Sequence, residues 1–506
     1  MPALMEETAD RDPILWELLD LVDRLDLSGF ERVYRADGSG GQPYDPRLML
    51  VSVWWAYRQG VRSPGAIAQA CHTQIPLRVL WGATRTPSRS TVERFIQQHS
   101  RGWAQVNIGL LRACDQAGLI DVSTTATDST PVAAPAALSA NRGRARIRLA
   151  ISENEQALAE VIDQVRQHGL DARTGDTAGF IDQGCDTLLR QERQLRRRLA
   201  KLRTAEAIAD RRDQDRSTRS PPLQALLSRI DNHSRGLAVM TAGQQQACDI
   251  YQAKVAAGRK PRGPAPRLPA EHPHIRAKQT ALDKALNTLA ALPPATVSVS
   301  APARANLTAP HSRILKGKNT TTWVQGDLLT ITVGAGQIIL AAELPDAGND
   351  HNTLHPHLST VARNCDQAGI TGPMTRHLAD AGYASEAVFT TAAPTGGTLY
   401  IAVTNEHTQT GTNPPTAAAT TGRQHMTNRL ATTEGAAIYR RRSPMIEPVF
   451  AQLLRTDRHL HTRGNAKHTE VTALATAHNA NKYLRTATPP PIPIWVLAND
   501  LKQPTN

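Results

Sequence analysis

From Ile14 to Leu27 the apolar residues Ile14, Leu15, Leu18, Leu19, Val22, Leu25 and Leu27 recur at three- and four-residue intervals. That period lays them along one face of a helix. Leu48–Tyr57 is a second apolar helical run closed near Gly60, and Ser63–Cys71 is a short third. Ser90 and Glu93 have the S-x-x-E spacing of a capping box and open a helix through Phe95 and Ile96. An all-helical region over 12–118 follows. The pattern then changes. Leu119–Asp128 is rich in β-branched residues, has no helical period, and reads as a strand ending on Asp128 within a strand region over 119–139.

Residues 140–295 return to helix. Leu188, Leu189, Leu195, Leu199 and Leu202 are set among Arg190, Arg193, Arg196, Arg197, Arg198, Lys201 and Arg203. This is the pattern of a long amphipathic helix in a hairpin or coiled coil. From 311 to 487 the periods alternate. Thr322–Val333 and Gln337–Ala342 read as strands of a hairpin turned by Gly334-Ala335-Gly336. Asn349-Asp350 caps a helix ending near Gly369, Arg376–Asp380 is a short strand ending on an aspartate, Ser385 begins a helix, and Leu399–Val403 is an apolar strand. Thr408–Thr433 reads as a Thr-rich loop, Glu447 opens a helix, Glu470–Leu484 forms another, and 488–506 is a tail. The fold class predicted is multidomain: an all-α N-terminal domain, then an α/β domain interrupted by an α-helical insertion.

Charge narrows the function. The chain of 506 residues carries 58 Lys and Arg against 45 Asp and Glu, a surplus of 13. Such a surplus favours a polyanionic partner, usually nucleic acid. The first helices carry Arg62, Arg78, Arg85, Arg89 and Arg94. They fit a helix-turn-helix DNA reader, and they also fit a plain helical bundle with solvated arginines. The five cysteines are odd in number and none forms a C-x-x-C pair, which excludes a disulfide scaffold and a thiolate zinc site. No apolar run approaches the roughly 18 residues of a membrane span, and the acidic first residues lack the pattern of a signal peptide. A cytoplasmic location, with no membrane partner, is expected.

Three carboxylates stand out by position. Asp128 and Asp380 each end a strand, and Glu447 precedes Pro448 at the predicted start of a helix. Strand ends converge at one edge of an open sheet, where ligands gather. Oxygen ligands suit Mg²⁺, and two such ions roughly 3.5–4 Å apart serve phosphodiester chemistry. Tyr439-Arg440-Arg441-Arg442 lies just before Glu447, so Arg442 is placed to meet a phosphate beside it. Pro448 is best tolerated in a first turn, which would set Glu447 near the positive end of the helix dipole. Each aspartate alone is also a common turn former or helix cap.

In order along the chain, these residues resemble the DDE transposases of bacterial insertion sequences, in the group with an RNase H-like catalytic domain and a helical insertion. Gln42–Leu50, Tyr57–Ser63 and Pro87–Phe95 are similar to that family's N-terminal DNA-binding domain. Ala126-Thr127-Asp128-Ser129-Thr130 resembles its first catalytic strand, and Ser312–Lys318 with Val324-Gln325-Gly326 the entry to the second. Asn349-Asp350-His351, Ala379-Asp380-Ala381-Gly382-Tyr383, Ile446-Glu447-Pro448-Val449-Phe450 and His478-Asn479 continue the pattern. The resemblance implies that Asp128, Asp380 and Glu447 form the DDE triad and hold Mg²⁺, with Mn²⁺ able to substitute. It implies cutting at terminal inverted repeats and strand transfer into target double-stranded DNA, by a homo-oligomer, a dimer, that pairs two ends. Arg62, Arg89, Arg94, Arg442 and Arg455 are the expected DNA contacts. The chain departs from the pattern at Asp327-Leu328, where Tyr-Asn is usual, at Ala451 in place of glycine, and at Leu454 in place of lysine. A descendant that binds DNA without cutting it is the alternative reading.

Overall fold

The computed structural model describes residues 12–32, 43–82, 85–174, 181–218, 221–258, 263–290, 303–316, 323–346, 350, 353–403 and 422–486. The tail over 488–506 and most of the Thr-rich stretch lie outside the described residues. Two units separate, one built from 1–141 and 306–506, the other from 142–305.

In the first unit the N-terminal third is helical: α1 (Pro13–Asp23), α2 (Ser28–Glu31), α3 (Pro46–Arg58), α4 (Pro64–Thr73), α5 (Ile75–Trp81), α6 (Arg89–Gln98) and α7 (Ser100–Gln116). Proline at the first helical position and an oxygen just before it start α3 and α4: the Asp45 carboxylate accepts from Arg47 N–H, and Ser63 Oγ from Ala66 N–H. Met49 to Tyr57 of α3 are buried in an unbroken run. A helix apolar on every side has no solvent face, and α3 is the central one. The predicted capping box at Ser90 and Glu93 is displaced. Ser88 caps α6, its Oγ accepting from Thr91 N–H, while Glu93 accepts from Gln97 within the helix.

The sheet of this unit contains β1 (Thr124–Ala133), β4 (Arg313–Lys316), β5 (Trp323–Val333), β6 (Ile339–Glu343), β7 (Arg376–Ala379) and β8 (Thr398–Ile401); β2 (Asn141–Gly143) and β3 (Arg304–Asn306) form a separate small ladder. The order is β4-β5-β1-β7-β8, with β6 also on β5. β1 runs antiparallel to β5 and parallel to β7, and β7 runs parallel to β8, so the sheet is mixed. The helices α1 to α7 share one hydrophobic core with this sheet, with Trp54, Trp103, Ile331 and Leu378 all in it.

Between β6 and β7 lies α12 (Leu354–Ala368), which Gly369 ends in the left-handed conformation at φ 77°. Its first turn follows Thr353, so the start expected at Asn349-Asp350 moves inward. The rest of the unit is α13 (Glu386–Thr390), α14 (Gly422–Ala431), α15 (Thr433–Arg440), α16 (Arg442–Leu453) and α17 (Ala466–Thr486). Helices α14 and the start of α15 replace the last part of the predicted Thr-rich loop. Asn479 on α17 repairs a β-bulge. The register of β6 slips between Thr332 and Val333, and the Asn479 amide pairs with both the N–H and the C=O of Ile339, at 2.8 and 2.9 Å.

The second unit is helical: α8 (Arg144–Thr174), α9 (Ile181–Thr218), α10 (Pro221–Ala256) and α11 (Pro273–Ala290), with the two-stranded ladder of β2 (Asn141–Gly143) and β3 (Arg304–Asn306). α8 packs on α9, burying Ile147, Ile151 and Val161 with Leu199, Leu202 and Ile208. Arg144, Arg148 and Arg203 reach across to Asp210, Glu206 and Glu155. Part of the arginine-rich surface is thus neutralised within the hairpin, while Arg197, Arg198 and Lys201 stay exposed. Among the described residues no helix is long and apolar enough to cross a membrane.

Candidate active site

The two aspartates meet through strand register. β1 and β7 are parallel, and their last pair is Thr127 with Ala379. The next residue on each strand is an aspartate: Asp128 on β1 and Asp380 just past β7. Neighbours in a parallel pair point to the same face. One expectation changes here. Asp128 does not end its strand. β1 continues to Ala133 against β5, with Asp128 opposite Ile331, and only the pairing with β7 stops at this point. In open sheets, ligands gather at strand ends of this kind, where one ladder ends and the other continues.

Local hydrogen bonds fix both carboxylates. Asp128 Oδ1 accepts from Ser129 N–H at 2.8 Å and its Oδ2 from Arg442 Nη1 at 2.9 Å. Asp380 Oδ1 accepts from Gly382 N–H at 2.9 Å in the tight turn Ala381–Tyr383. Glycine suits position 382 because a Cβ there would sit tightly, 3.0 Å from Asp350 Oδ2 and 3.1 Å from Asp380 Oδ1. That places a third carboxylate, Asp350, next to the pair. It accepts from Ser129 Oγ. The sequence marked Asp350 only as a helix start, and its motif, Asn-Asp-His, gave no sign that it would face Asp380.

This is an electrostatically loaded corner. Burial raises the Asp128 pKa to about 6, the nearby Asp380 charge adds to the rise, and Arg442 and Ser129 oppose it. Behind the carboxylates the Tyr383 hydroxyl is pushed far above its usual range, first by burial and then by Asp350. The donor set of neighbouring carboxylates in a place that disfavours their joint charge fits a hard divalent cation with oxygen ligands. Among the described residues, no three His, Cys, Asp or Glu side chains are gathered into a ready metal cage.

Glu447 is on α16, the helix that also supplies Arg442. It is exposed and accepts from Ser443 Oγ one turn before it. Its position corrects the sequence expectation: α16 begins at Arg442, so Glu447 and Pro448 lie inside the helix and away from the positive end of its dipole. An interior proline leaves the carbonyl four residues earlier without its partner. Here that carbonyl, of Pro444, accepts from Gln337 Nε2 at 3.0 Å.

The expected DNA contacts divide. Arg89 and Arg94 are exposed on α6, Arg455 is exposed beyond α16, and Arg442 is engaged with Asp128. Arg62 is internal. Its side chain is 3% exposed, it donates to Asp457 O at 2.5 Å, and it lies 3.8 Å from Glu470. Leu454, where a lysine was the pattern, is buried in the core. Asp327, where a tyrosine was the pattern, forms a buried ion pair with Lys467 at 2.6 Å.

A transposase domain (DUF772) matches residues 4–98, and a transposase DDE domain matches residues 404–484. The second match contains Glu447, whereas Asp128 and Asp380 lie outside both. No curated protein and no solved structure matches the chain. The DDE-domain match implies an RNase H-like fold and an enzyme of the nuclease and transposase class, and both matches imply DNA as the partner. Found in chain order at its two ends, the two domain matches support the recognition of this chain as a DDE transposase of an insertion sequence.

Proposed function

We propose that this transposase binds the terminal inverted repeats of its element, cuts them with divalent metal held by Asp128, Asp380 and Glu447, and joins the freed ends to target DNA. The observation that carries the reading is the β1–β7 register, which sets Asp128 and Asp380 side by side with Arg442 on Asp128. When bound, Mg²⁺ or Mn²⁺ would supply Lewis-acid activation of the attacking oxygen and offset charge on the leaving one. The chain's own groups have separate tasks. Ser129 N–H and Gly382 N–H hold the two aspartates in fixed rotamers. Arg442 carries a guanidinium at the carboxylate edge, suited to a phosphate oxygen once Asp128 has another partner. Glu447, on the helix that bears Arg442 and hydrogen-bonded to Ser443, would complete the metal's ligands once DNA and metal are bound. Two ends must be handled together, so the working form is a homo-oligomer, a dimer, on DNA.

The test is direct. Purified protein is incubated with labelled DNA carrying the element's end and flank, with Mg²⁺, with Mn²⁺ and with a chelator. Metal-dependent breaks at the element boundary, followed by joined products with a second DNA, are expected. Binding of the ends with no break under either metal would contradict the catalytic reading and leave a DNA-binding protein.

A further inference from the structure

A second basic feature lies on the same unit, past the C-terminal end of α16. A pocket of about 300 Å³ is walled by the end of α3, the end of α16 and one face of α17. Arg58, Arg455, Lys482 and Arg485 line it, the buried Arg62 lies in its wall, and no aspartate or glutamate lines it.

Glu470, 3.8 Å from Arg62, offsets only that residue; among the described residues no acid pairs with Arg58, Arg455, Lys482 or Arg485. Glu470, beside Arg62, is already occupied by the N–H groups of His461 and Thr462 and by the Thr462 hydroxyl. Asp12 accepts from Trp55 and, with Glu17, acts on Arg58 only from outside the pocket. Arg58 and Lys482 are both pushed below their ordinary pKa, first by burial and then by the charge of Arg485. His478, buried and neutral, is pushed to about 4. Two further wall groups, Tyr57 Oη and Arg62 Nε, are buried donors with no acceptor among the described residues. Buried donors are normally paired, and a wall with surplus donors and no acid calls for an acceptor-rich anion.

The pocket is also held in shape. Arg58 donates to Asn481 Oδ1 at 2.8 Å and Lys482 to Gln337 Oε1 at 2.7 Å, so neither cation has to be ordered on binding. On α16, Ser443, Glu447 and Ala451 follow one another at four-residue steps, one face of the helix. Ala451 is in the pocket wall, one turn and about 6 Å along the axis from Glu447.

We propose that this pocket binds phosphate, and that in the DNA-bound protein it takes one backbone phosphate of the strand running past Glu447. The DNA part rests on the function proposed above; the phosphate site itself does not. The test uses the full chain with Lys482→Gln/Arg485→Gln, and with Arg485→Gln alone as the milder change at an exposed residue. A control, Lys316→Gln/Arg363→Gln, removes the same charge elsewhere. Binding to a labelled duplex is measured over a salt series. Losing one phosphate contact lowers the slope of log K against log salt by about 0.9. The pocket variants are expected to show that fall and the control to keep the wild-type slope.

In parallel, the melting midpoint is compared in inorganic phosphate and in chloride at equal ionic strength. A phosphate-specific rise in wild type that the pocket variants lose supports the site. That rise without a change in DNA slope assigns the pocket to a free phosphate instead. Unchanged slopes with no phosphate-specific rise overturn the proposal, as does an equal loss in the control. If wild type cuts DNA normally and the pocket variants behave as wild type in both assays, the pocket alone falls. If wild type binds no DNA yet shows the pocket-dependent rise, the site stands and the transposase function falls.

Discussion

Arg442 donates to Asp128 Oδ2 at 2.9 Å, a contact that ties the helix bearing Glu447 to the strand bearing Asp128. Both side chains are less than a fifth exposed, so the pair is shielded from solvent without being sealed from it.

Removing one partner should therefore cost more than removing both. Arg442→Gln leaves a buried carboxylate without its counter-charge, and Asp128→Asn leaves a guanidinium without its acceptor. A double-mutant cycle by denaturant unfolding should give a favourable coupling of about 1–3 kcal/mol between residues 128 and 442. Additivity of the two single changes would show that the contact does not join strand and helix.

A second buried pair answers a departure from the family pattern. Asp327 and Lys467 meet at 2.6 Å with both side chains nearly enclosed. Lys467→Met should destabilise by about 3–5 kcal/mol, because it strands the aspartate. Asp327→Leu/Lys467→Met should recover most of that loss, as an apolar pair of similar size often does. If the double variant proves as unstable as the single one, the pair is not the reason position 327 tolerates an acid.

The stability contributed by two buried histidines should fall between pH 6.5 and 4, against an opposite contribution from Asp128, whose pKa is raised to about 6. Burial pushes His377 and His478 from 6.5 to about 4 in the folded chain, and His377 is further disfavoured as a cation by His355. Both are depressed in the folded state, so the unfolded chain takes up their protons first as pH drops. The stabilisation is whole above 6.5 and is lost as pH falls toward 4. Unfolding free energies at pH 7 and pH 5 should differ by about 2–4 kcal/mol from these two residues together. His377→Gln/His478→Gln should flatten the profile in that window. A profile equally steep without both histidines would assign the effect elsewhere.

How far the site could be read from the sequence depended on whether the cause was local. The strand bearing Asp128, the short strand ending at Asp380 and the presence of a helix at Glu447 follow from composition and spacing close to each residue. The meeting of Asp128 with Asp380 does not. It rests on a parallel register between strands whose aspartates are 252 positions apart (380 − 128), and no local pattern sets that. Arg62 looked like a surface cation because its partners, Asp457 and Glu470, come about 400 residues later. The start of α16 was misplaced because Pro448 was assigned to a first turn. Gln337, on another element, supplies the donor that lets the proline lie inside the helix. Asp350 escaped notice for the opposite reason. Its role comes from Gly382, whose missing side chain leaves room for two carboxylates.

The central claim is that Asp128, Asp380 and Glu447 act together on DNA ends. The most direct measurement is cleavage of labelled end DNA in Mg²⁺ and in Mn²⁺ by Asp128→Asn, Asp380→Asn and Glu447→Gln, each beside a binding titration at fixed salt and a melting curve. Each change removes one anionic ligand and keeps the shape nearly the same. The account predicts folded proteins that bind the ends as wild type does, since affinity rests on phosphate contacts by Lys and Arg, and that have lost at least about a hundredfold in cutting. Near-normal cutting by any one of the three folded variants would contradict it and remove that residue from the triad.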